Sequence, residues 1–352
     1  MQRFITKALF FFLLYLGISA LIRTLLPYHW GNPRYSVKIS YLENQKPGTY
    51  NTYFFGSSKV YRHIDPQVFD SITNLHTGEK IRSFNLGSPS TFAPQTYYLY
   101  EHFLDSELAE GVKYCFLELT GIKQLKEHML HREKTNYWIG LGELNYLYRA
   151  LDADLTLSTR TRGIQKKFYL SSFVENVLHL GHFISYLINK NHYDPTYLGP
   201  VSNGFLDKDY EYACATDPVL KRVLGQLHQE VRKDSSKIQR QRAQITKALH
   251  EPENDFFNEL NWRKLMELQE KSRQQGIALY FLFSSPRPKQ DYAKVINLRK
   301  ALPDTFVIDI ADPIIYPALY YAENYFDPVH FNAQGARLAS TYFAQEFAKK
   351  IE

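Results

Sequence analysis

Two short stretches near opposite ends of this 352-residue chain carry the residue types of nucleophilic catalysis. One is Tyr53-Phe54-Phe55-Gly56-Ser57-Ser58-Lys59-Val60, where an apolar, strand-like run stops at a glycine and hands over to two serines and an amphipathic segment. That is the layout of a strand-to-helix turn presenting a side chain at a sheet edge, and Ser58 is the residue presented. The other is Phe326-Asp327-Pro328-Val329-His330-Phe331-Asn332. An Asp and a His three apart at a loop-to-helix start can face the same way, so Asp327 can accept the His330 Nδ1 proton and leave Nε2 as a base. Read alone, Asp-x-x-His is helix capping beside a solvated histidine. Paired with Ser58 it supplies a serine triad, because the first and last strand ends of an α/β sheet can bring Oγ to Nε2. A third stretch, Ser83-Phe84-Asn85-Leu86-Gly87-Ser88-Pro89, offers a glycine whose N–H can approach a developing oxyanion, with the Ser58 N–H as second donor. Gly87 reads equally well as a plain turn glycine.

These residues need a scaffold, and the chain supplies short apolar runs of strand length at Thr52–Phe55, Ile81–Leu86, Lys113–Leu119, Ile277–Phe283 and Thr305–Ile310. Their near-continuous hydrophobicity is that of parallel strands buried on both faces. Helical stretches at Pro94–Ala109, Trp262–Gln275 and Gln290–Leu302 separate them, and a helix from about Ala333 to Lys350 closes the chain. The alternation predicts a doubly wound α/β sheet of about five strands, with its site beyond the strands' carboxyl ends. Between the third and fourth strands, residues 120–261 are far too long for a crossover. They read as a helical insertion capping the active edge, with clear helices at Gly142–Leu151, Phe168–Ile188 and Asp217–Leu249. Phe168–Ile188 carries only Glu175 as a formal charge and reads as a core helix or a membrane-surface helix.

At the N-terminus, Arg3 and Lys7 precede an uncharged run from Ala8 to Ile22. Fifteen helical residues rise only about 22 Å, but snorkelling of Lys7 and Arg23 lengthens the effective span to Phe4–Leu26. Residues 1–27 are thus expected to be a transmembrane signal anchor, in preference to a cleaved signal peptide because no small-x-small cleavage site follows. Residues 28–48, with Gly31-Asn32-Pro33 and Lys46-Pro47-Gly48, read as a linker off the membrane, and 49–352 as the extracytoplasmic body.

Composition narrows the alternatives. With 44% hydrophobic residues the chain can bury a large core. The net charge of +6 is dispersed, without a basic stripe, which argues against a nucleic-acid partner. Cys115 and Cys214 are the only cysteines, which excludes a disulfide scaffold and a multi-cysteine metal site. His63 is close to Ser58 in sequence, but five helical steps turn it about 140° away, so it is a poor base for that serine. The pairs His128 and His131, and His179 and His182, have metal-compatible spacing but lack acidic or cysteine partners, so no metal is expected. Asp309 and Asp312 follow the last strand and read as caps. Arg287, after the fourth strand, sits at the expected rim, where it would bind an anionic substrate group or coat the surface.

Gly56-Ser57-Ser58, then Asn85-Leu86-Gly87, then Asp327-x-x-His330, in this order with strands between them, resembles the SGNH/GDSL hydrolase superfamily, whose sheet is flavodoxin-like. Over about Thr49–Ser90 and Ile277–Glu352 the chain is similar to membrane-anchored members, DltD-like and alginate-acetylation-like, that accompany membrane-bound O-acyltransferases and modify cell-envelope polysaccharide. The resemblance implies Ser58 as nucleophile, His330 as base, Asp327 as its orienting acid and Gly87 as an oxyanion donor, with no cofactor. Two positions depart from the pattern. Ser57 stands where the Gly-Asp-Ser block has aspartate, and Leu117-Glu118-Leu119-Thr120-Gly121 lacks the asparagine that donates to the oxyanion in Gly-x-Asn-Asp. Thr120, or an N–H near Gly121, would have to substitute. The implied activity is serine-dependent acyl transfer or ester hydrolysis; the reading from another class is a catalytically silent glycan-binding or scaffold protein serving an acyltransferase.

Overall fold

The computed structural model describes residues 1–178, 184, 186–188, 194–250, 256–284 and 292–351. In chain order its first elements are α1 (Gln2–Leu25), α2 (Pro33–Glu43), β1 (Thr52–Phe55), α3 (Ser58–His63), α4 (Pro66–Thr77), β2 (Ser83–Asn85), α5 (Gln95–Leu104), β3 (Tyr114–Glu118), α6 (Glu133–Asn136), α7 (Leu141–Ala153) and α8 (Thr159–Leu178). Two further strands follow, β4 (Ala278–Phe283) and β5 (Val307–Asp309), and a C-terminal helix spans Ala333–Ile351. The chain divides into two compact units, residues 1–36 with 123–194, and residues 37–122 with 195–352. The stretch read as one insertion, 120–261, is therefore shared between them.

The second unit is the α/β body. Its five strands are all parallel, in the order β2-β1-β3-β4-β5. In this doubly wound order the chain leaves β1 in one direction for β2 and returns past it to β3, so the switch point lies at the carboxyl end of β1. Period-2 alternation sorts the β1 side chains to opposite faces. Phe54 stacks on Phe116, its β3 partner in register, with centroids 4.7 Å apart. On the same face Phe347 of the C-terminal helix meets Phe116 at 4.9 Å and Phe69 of α4 at 5.6 Å. Tyr53 and Phe55 point the other way, onto Phe103 and Tyr100 of α5. Tyr100 Oη in turn shares a 2.7 Å hydrogen bond with Ser272 Oγ in the Glu259–Gln274 helix. Helices thus cover both faces, which is why the strands read as predominantly apolar.

Three expectations are corrected. Residues 28–48 are not an open linker: Pro33 starts α2, and Tyr35, Ile39, Leu42 and Lys38 are all buried. Asp217–Leu249 is two helices, Pro218–Lys233 and Ser236–His250, broken where Asp234 Oδ1 accepts the Ser236 N–H at 2.9 Å. The helix expected over Phe168–Ile188 begins earlier, as α8 (Thr159–Leu178); residues 184 and 186–188 are helical too, and the rest of the stretch lies outside the described residues. Cys115 and Cys214 are both free thiols.

In the first unit α1 has 24 residues, about 36 Å, long and apolar enough to cross a bilayer, and only Ser19 on it is buried. Tyr28, His29 and Trp30 follow directly, with His29 Nδ1 2.8 Å from Ser36 Oγ and Trp30 against Tyr137 at 6.2 Å.

Candidate active site

Gly56 ends β1 and Ser57 caps α3, its Oγ accepting the Lys59 N–H at 3.2 Å. The turn is tight for a steric reason. A Cβ on residue 56 would lie 2.4 Å from Val60 Cγ2 and 2.6 Å from Glu118 Oε2, so only glycine fits between α3 and the end of β3. Ser58 opens α3 and is buried.

The histidine arrives from the other end of the chain. An antiparallel bridge pairs Tyr325 with Phe331, and the Phe326 N–H donates to the His330 carbonyl at 2.9 Å, folding 326–330 into a closed loop. Asp327 Oδ1 accepts the Val329 and His330 N–H groups at 2.8 and 2.9 Å. Beyond it, Asn332 caps the C-terminal helix by accepting the Gly335 N–H at 2.9 Å.

The loop and the turn meet. His330 Nδ1 lies 2.9 Å from Asp327 Oδ2 and 3.1 Å from Oδ1, and His330 Nε2 lies 2.9 Å from Ser58 Oγ. Burial pushes the Asp327 carboxyl up, but hydrogen bonds from His330 and the two amides outweigh it and hold the group below the ordinary carboxylate value. An ionised carboxylate only accepts, so Nδ1 carries the proton, Nε2 has the lone pair and the Ser58 hydroxyl donates to it. Burial lowers the His330 imidazole; Asp327 opposes this, while the Arg62 and Lys208 charges add to it, leaving the group below 6.5. His330 is therefore neutral at pH 7, the state a general base requires.

Those two cations sit in one buried ion-pair group. Glu211 Oε1 pairs with Arg62 Nη2 at 2.8 Å and its Oε2 with Lys208 Nζ at 2.9 Å. Burial alone would raise Glu211, but Arg62 and Lys208 outweigh it and its carboxyl is lowered.

The expected oxyanion donors fare unequally. The Ser58 N–H lies in the first turn of α3, at the carboxyl end of β1. The Gly87 N–H does not face open space: it donates to Asn85 Oδ1 at 2.9 Å, and the Gly87 carbonyl accepts Lys38 Nζ at 2.7 Å. Glycine is needed there because a Cβ would lie 2.5 Å from the Tyr61 backbone nitrogen. Thr120 is buried just past β3, where its Oγ1 accepts the Ala93 N–H at 2.9 Å and keeps its own proton to donate.

Four residues around Ser58, His330 and Asp327 have structural roles that the sequence reading did not assign. Glu118, at the carboxyl end of β3, accepts the Ser57 N–H at 2.5 Å through Oε2 and the Ser57 hydroxyl at 3.1 Å through Oε1. A lone charge interrupting the apolar run Tyr114-Cys115-Phe116-Leu117-Glu118-Leu119 was the available signal. Lys38 donates to the Asn85 and Gly87 carbonyls, both at 2.7 Å, with its ammonium 4.1 Å from the Tyr61 ring centroid. Asn85 Nδ2 donates to the Val60 and Ile64 carbonyls at 2.7 and 2.8 Å, tying β2 to α3. His63 does not reach Ser58; its Nε2 accepts the Phe331 N–H at 3.1 Å, which fixes the backbone next to His330.

The remaining candidates are structural or lie elsewhere. Asp309 pairs with Arg299 at 2.7 Å, and Asp312 caps a turn at Ile314 and meets His250 at 3.1 Å. His131 Nδ1 is 2.7 Å from Glu175, and no metal-compatible cluster exists among the described residues. Arg287, His179 and His182 lie outside the described residues. No family model, curated protein or solved structure matches the chain.

Proposed function

We propose that this chain is a membrane-anchored, extracytoplasmic serine acyltransferase or esterase of SGNH type, acting on a cell-envelope or exported polysaccharide. The observation that carries the reading is the continuous hydrogen-bonded line Ser58 Oγ to His330 Nε2 to Asp327, assembled from residues 272 positions apart on a buried framework. In the reaction His330 Nε2 takes the Ser58 proton as Oγ attacks the acyl carbonyl carbon of the donor ester. The tetrahedral oxyanion is held by the Ser58 N–H and the Thr120 hydroxyl. Its collapse breaks the bond to the donor alcohol, which takes the proton from His330. An acceptor hydroxyl then gives its proton to His330 and attacks the Ser58 ester carbonyl, and as the bond to Ser58 Oγ breaks His330 returns that proton to Oγ, regenerating free Ser58 and neutral His330; a sugar acceptor gives transfer and water gives hydrolysis. The apolar helix α1 supports placement at a membrane, next to an acyltransferase that would deliver the acyl group.

The engagement of the Gly87 N–H by Asn85 favours the second reading, a silent glycan-binding or scaffold protein, since it removes one expected donor. One experiment separates the two. The full chain in detergent is treated with a serine-directed fluorophosphonate, beside Ser58→Ala and His330→Ala. Labelling of the wild type that both substitutions abolish supports the enzyme; a folded wild type that takes no label supports the accessory role.

A further inference from the structure

Helix α8 is built inside out. Its buried residues are Gln165, Tyr169, Ser172 and Asn176, spaced 4, 3 and 4 apart so that they form one stripe, and three of the four are polar. Three of the four are hydrogen-bonded within their own unit: Gln165 exchanges two 2.9 Å hydrogen bonds with the Leu125 backbone, Tyr169 Oη donates to the Lys123 carbonyl, and Asn176 Nδ2 donates to the Ile139 carbonyl at 3.1 Å, while the buried Ser172 hydroxyl has no hydrogen-bond partner among the described residues. The outward side carries Leu170 and Val174, 45% and 42% exposed, with Ser171 its one exposed polar residue from Phe168 to Leu178. Ile184, Leu187 and Ile188, farther along, are exposed as well. Polar groups inward and aliphatic groups outward is the reverse of a water-facing helix, and it suits a helix whose solvent is hydrocarbon.

A second observation fixes the depth. The Ser19 and Tyr15 hydroxyls of α1 donate to the Val177 and Leu178 carbonyls at the end of α8. Tyr15 is the midpoint of the uncharged run Ala8–Ile22, and Ser19 is four residues, about 6 Å, above it. Higher numbers on α8 pair with lower numbers on α1, so the helices run antiparallel. The end of α8 therefore lies near the centre of whatever α1 spans. Eleven and twelve residues before Leu178, about 17 Å higher, Lys167 and Lys166 reach headgroup level. Glu175, the only formal charge below them on α8, is held by His131 at 2.7 Å.

We infer that α8, from about Phe168 to its end, is a second membrane-inserted element that lies against α1 and presents Leu170 and Val174 to lipid acyl chains. This rests on α1 spanning the bilayer. The chain is then held by a helix pair, which fixes its first unit at the membrane surface more firmly than one flexible anchor.

The test uses the full chain with Cys214→Ser, leaving only the buried Cys115, and single reporter cysteines at Phe12, Val174, Leu170 or Leu155. Each is labelled in detergent with an environment-sensitive fluorophore and reconstituted into phosphatidylcholine–phosphatidylglycerol vesicles with or without acyl-chain-brominated lipid. Leu155 precedes α8 and is the aqueous reference. The expected result is quenching of Val174→Cys and Leu170→Cys comparable to Phe12→Cys, with Leu155→Cys unquenched. Quenching at Phe12 but not at 170 or 174 overturns the inference while leaving the anchor intact, and would point to a partner protein covering that face. No quenching at Phe12 overturns both.

Discussion

Glu118 should govern the placement of Ser58, and its removal can be given a size. Both its oxygens are taken by Ser57, the N–H at 2.5 Å and the hydroxyl at 3.1 Å, in a place where the carboxylate side chain is buried. Glu118→Ala leaves the Ser57 N–H without its acceptor and out of reach of bulk water, which costs about 2–3 kcal/mol. It also frees the turn that aims Ser58, and a displacement of about 1 Å in a reacting group lowers rate on the order of 100-fold. Glu118→Gln separates geometry from mere occupancy, because its carbonyl can accept the Ser57 N–H while its amide donates to Ser57 Oγ, which has a second lone pair for the Lys59 N–H. Denaturant unfolding of the full chain in detergent and the fluorophosphonate labelling rate should therefore both fall in Glu118→Ala and both recover in Glu118→Gln. A Glu118→Ala chain that labels and unfolds like wild type would refute the clamp.

Other consequences follow from the charges. Asp327→Asn keeps the shape but loses the ionised acceptor, and labelling should drop by about 10⁴-fold, as carboxylate-to-amide changes do in serine triads; because Asp327 raises the His330 pKa, the residual acid limb should also move to lower pH. In the wild type, labelling should be flat near neutrality and decline only as pH falls through the His330 pKa, below 6.5. Lys208→Met removes a cation that lowers His330, so a rate–pH profile should show the acid limb moving to higher pH, and an unmoved limb would place Lys208 outside the site's field. Asp70, which accepts the Ser83 N–H at 2.9 Å, is raised by burial to about 7 despite its bonds to Ser83. The folded chain thus holds a proton that the unfolded chain has released between the ordinary value near 3.8 and about 7, so this group's contribution to stability is lost as pH rises through that window. Asp70→Asn should raise the melting temperature more at pH 8 than at pH 5, and an equal gain at both would exclude the linkage.

What could be read from the chain and what could not divide along a physical line. β1 shows at Thr52–Phe55 because a strand buried on both faces is dominated by apolar side chains, here three aromatics after Thr52, and Gly56 marks its end because Glu118 and Val60 leave no room for a Cβ. Asp327 and His330 are legible because three residues of a turn are enough to bring an acceptor to Nδ1. Lys38 left no such trace. A lysine in a polar stretch looks solvated until the carbonyls of Asn85 and Gly87, 47 and 49 residues away at the end of β2 and just past it, supply its partners. The Asn203 carbonyl that receives the Asn85 N–H at 2.9 Å is equally invisible, and it helps explain why residues 195–261 join the sheet's unit, which the sequence reading placed in one insertion with 123–194. Glu118 lies between these cases. Its charge in an apolar strand announces that some buried donor must be waiting, but only the fold shows that the donor is the backbone one residue before Ser58. Local rules therefore expose the groups that would react, while the groups that would hold them in place are chosen by contacts that sequence spacing does not encode.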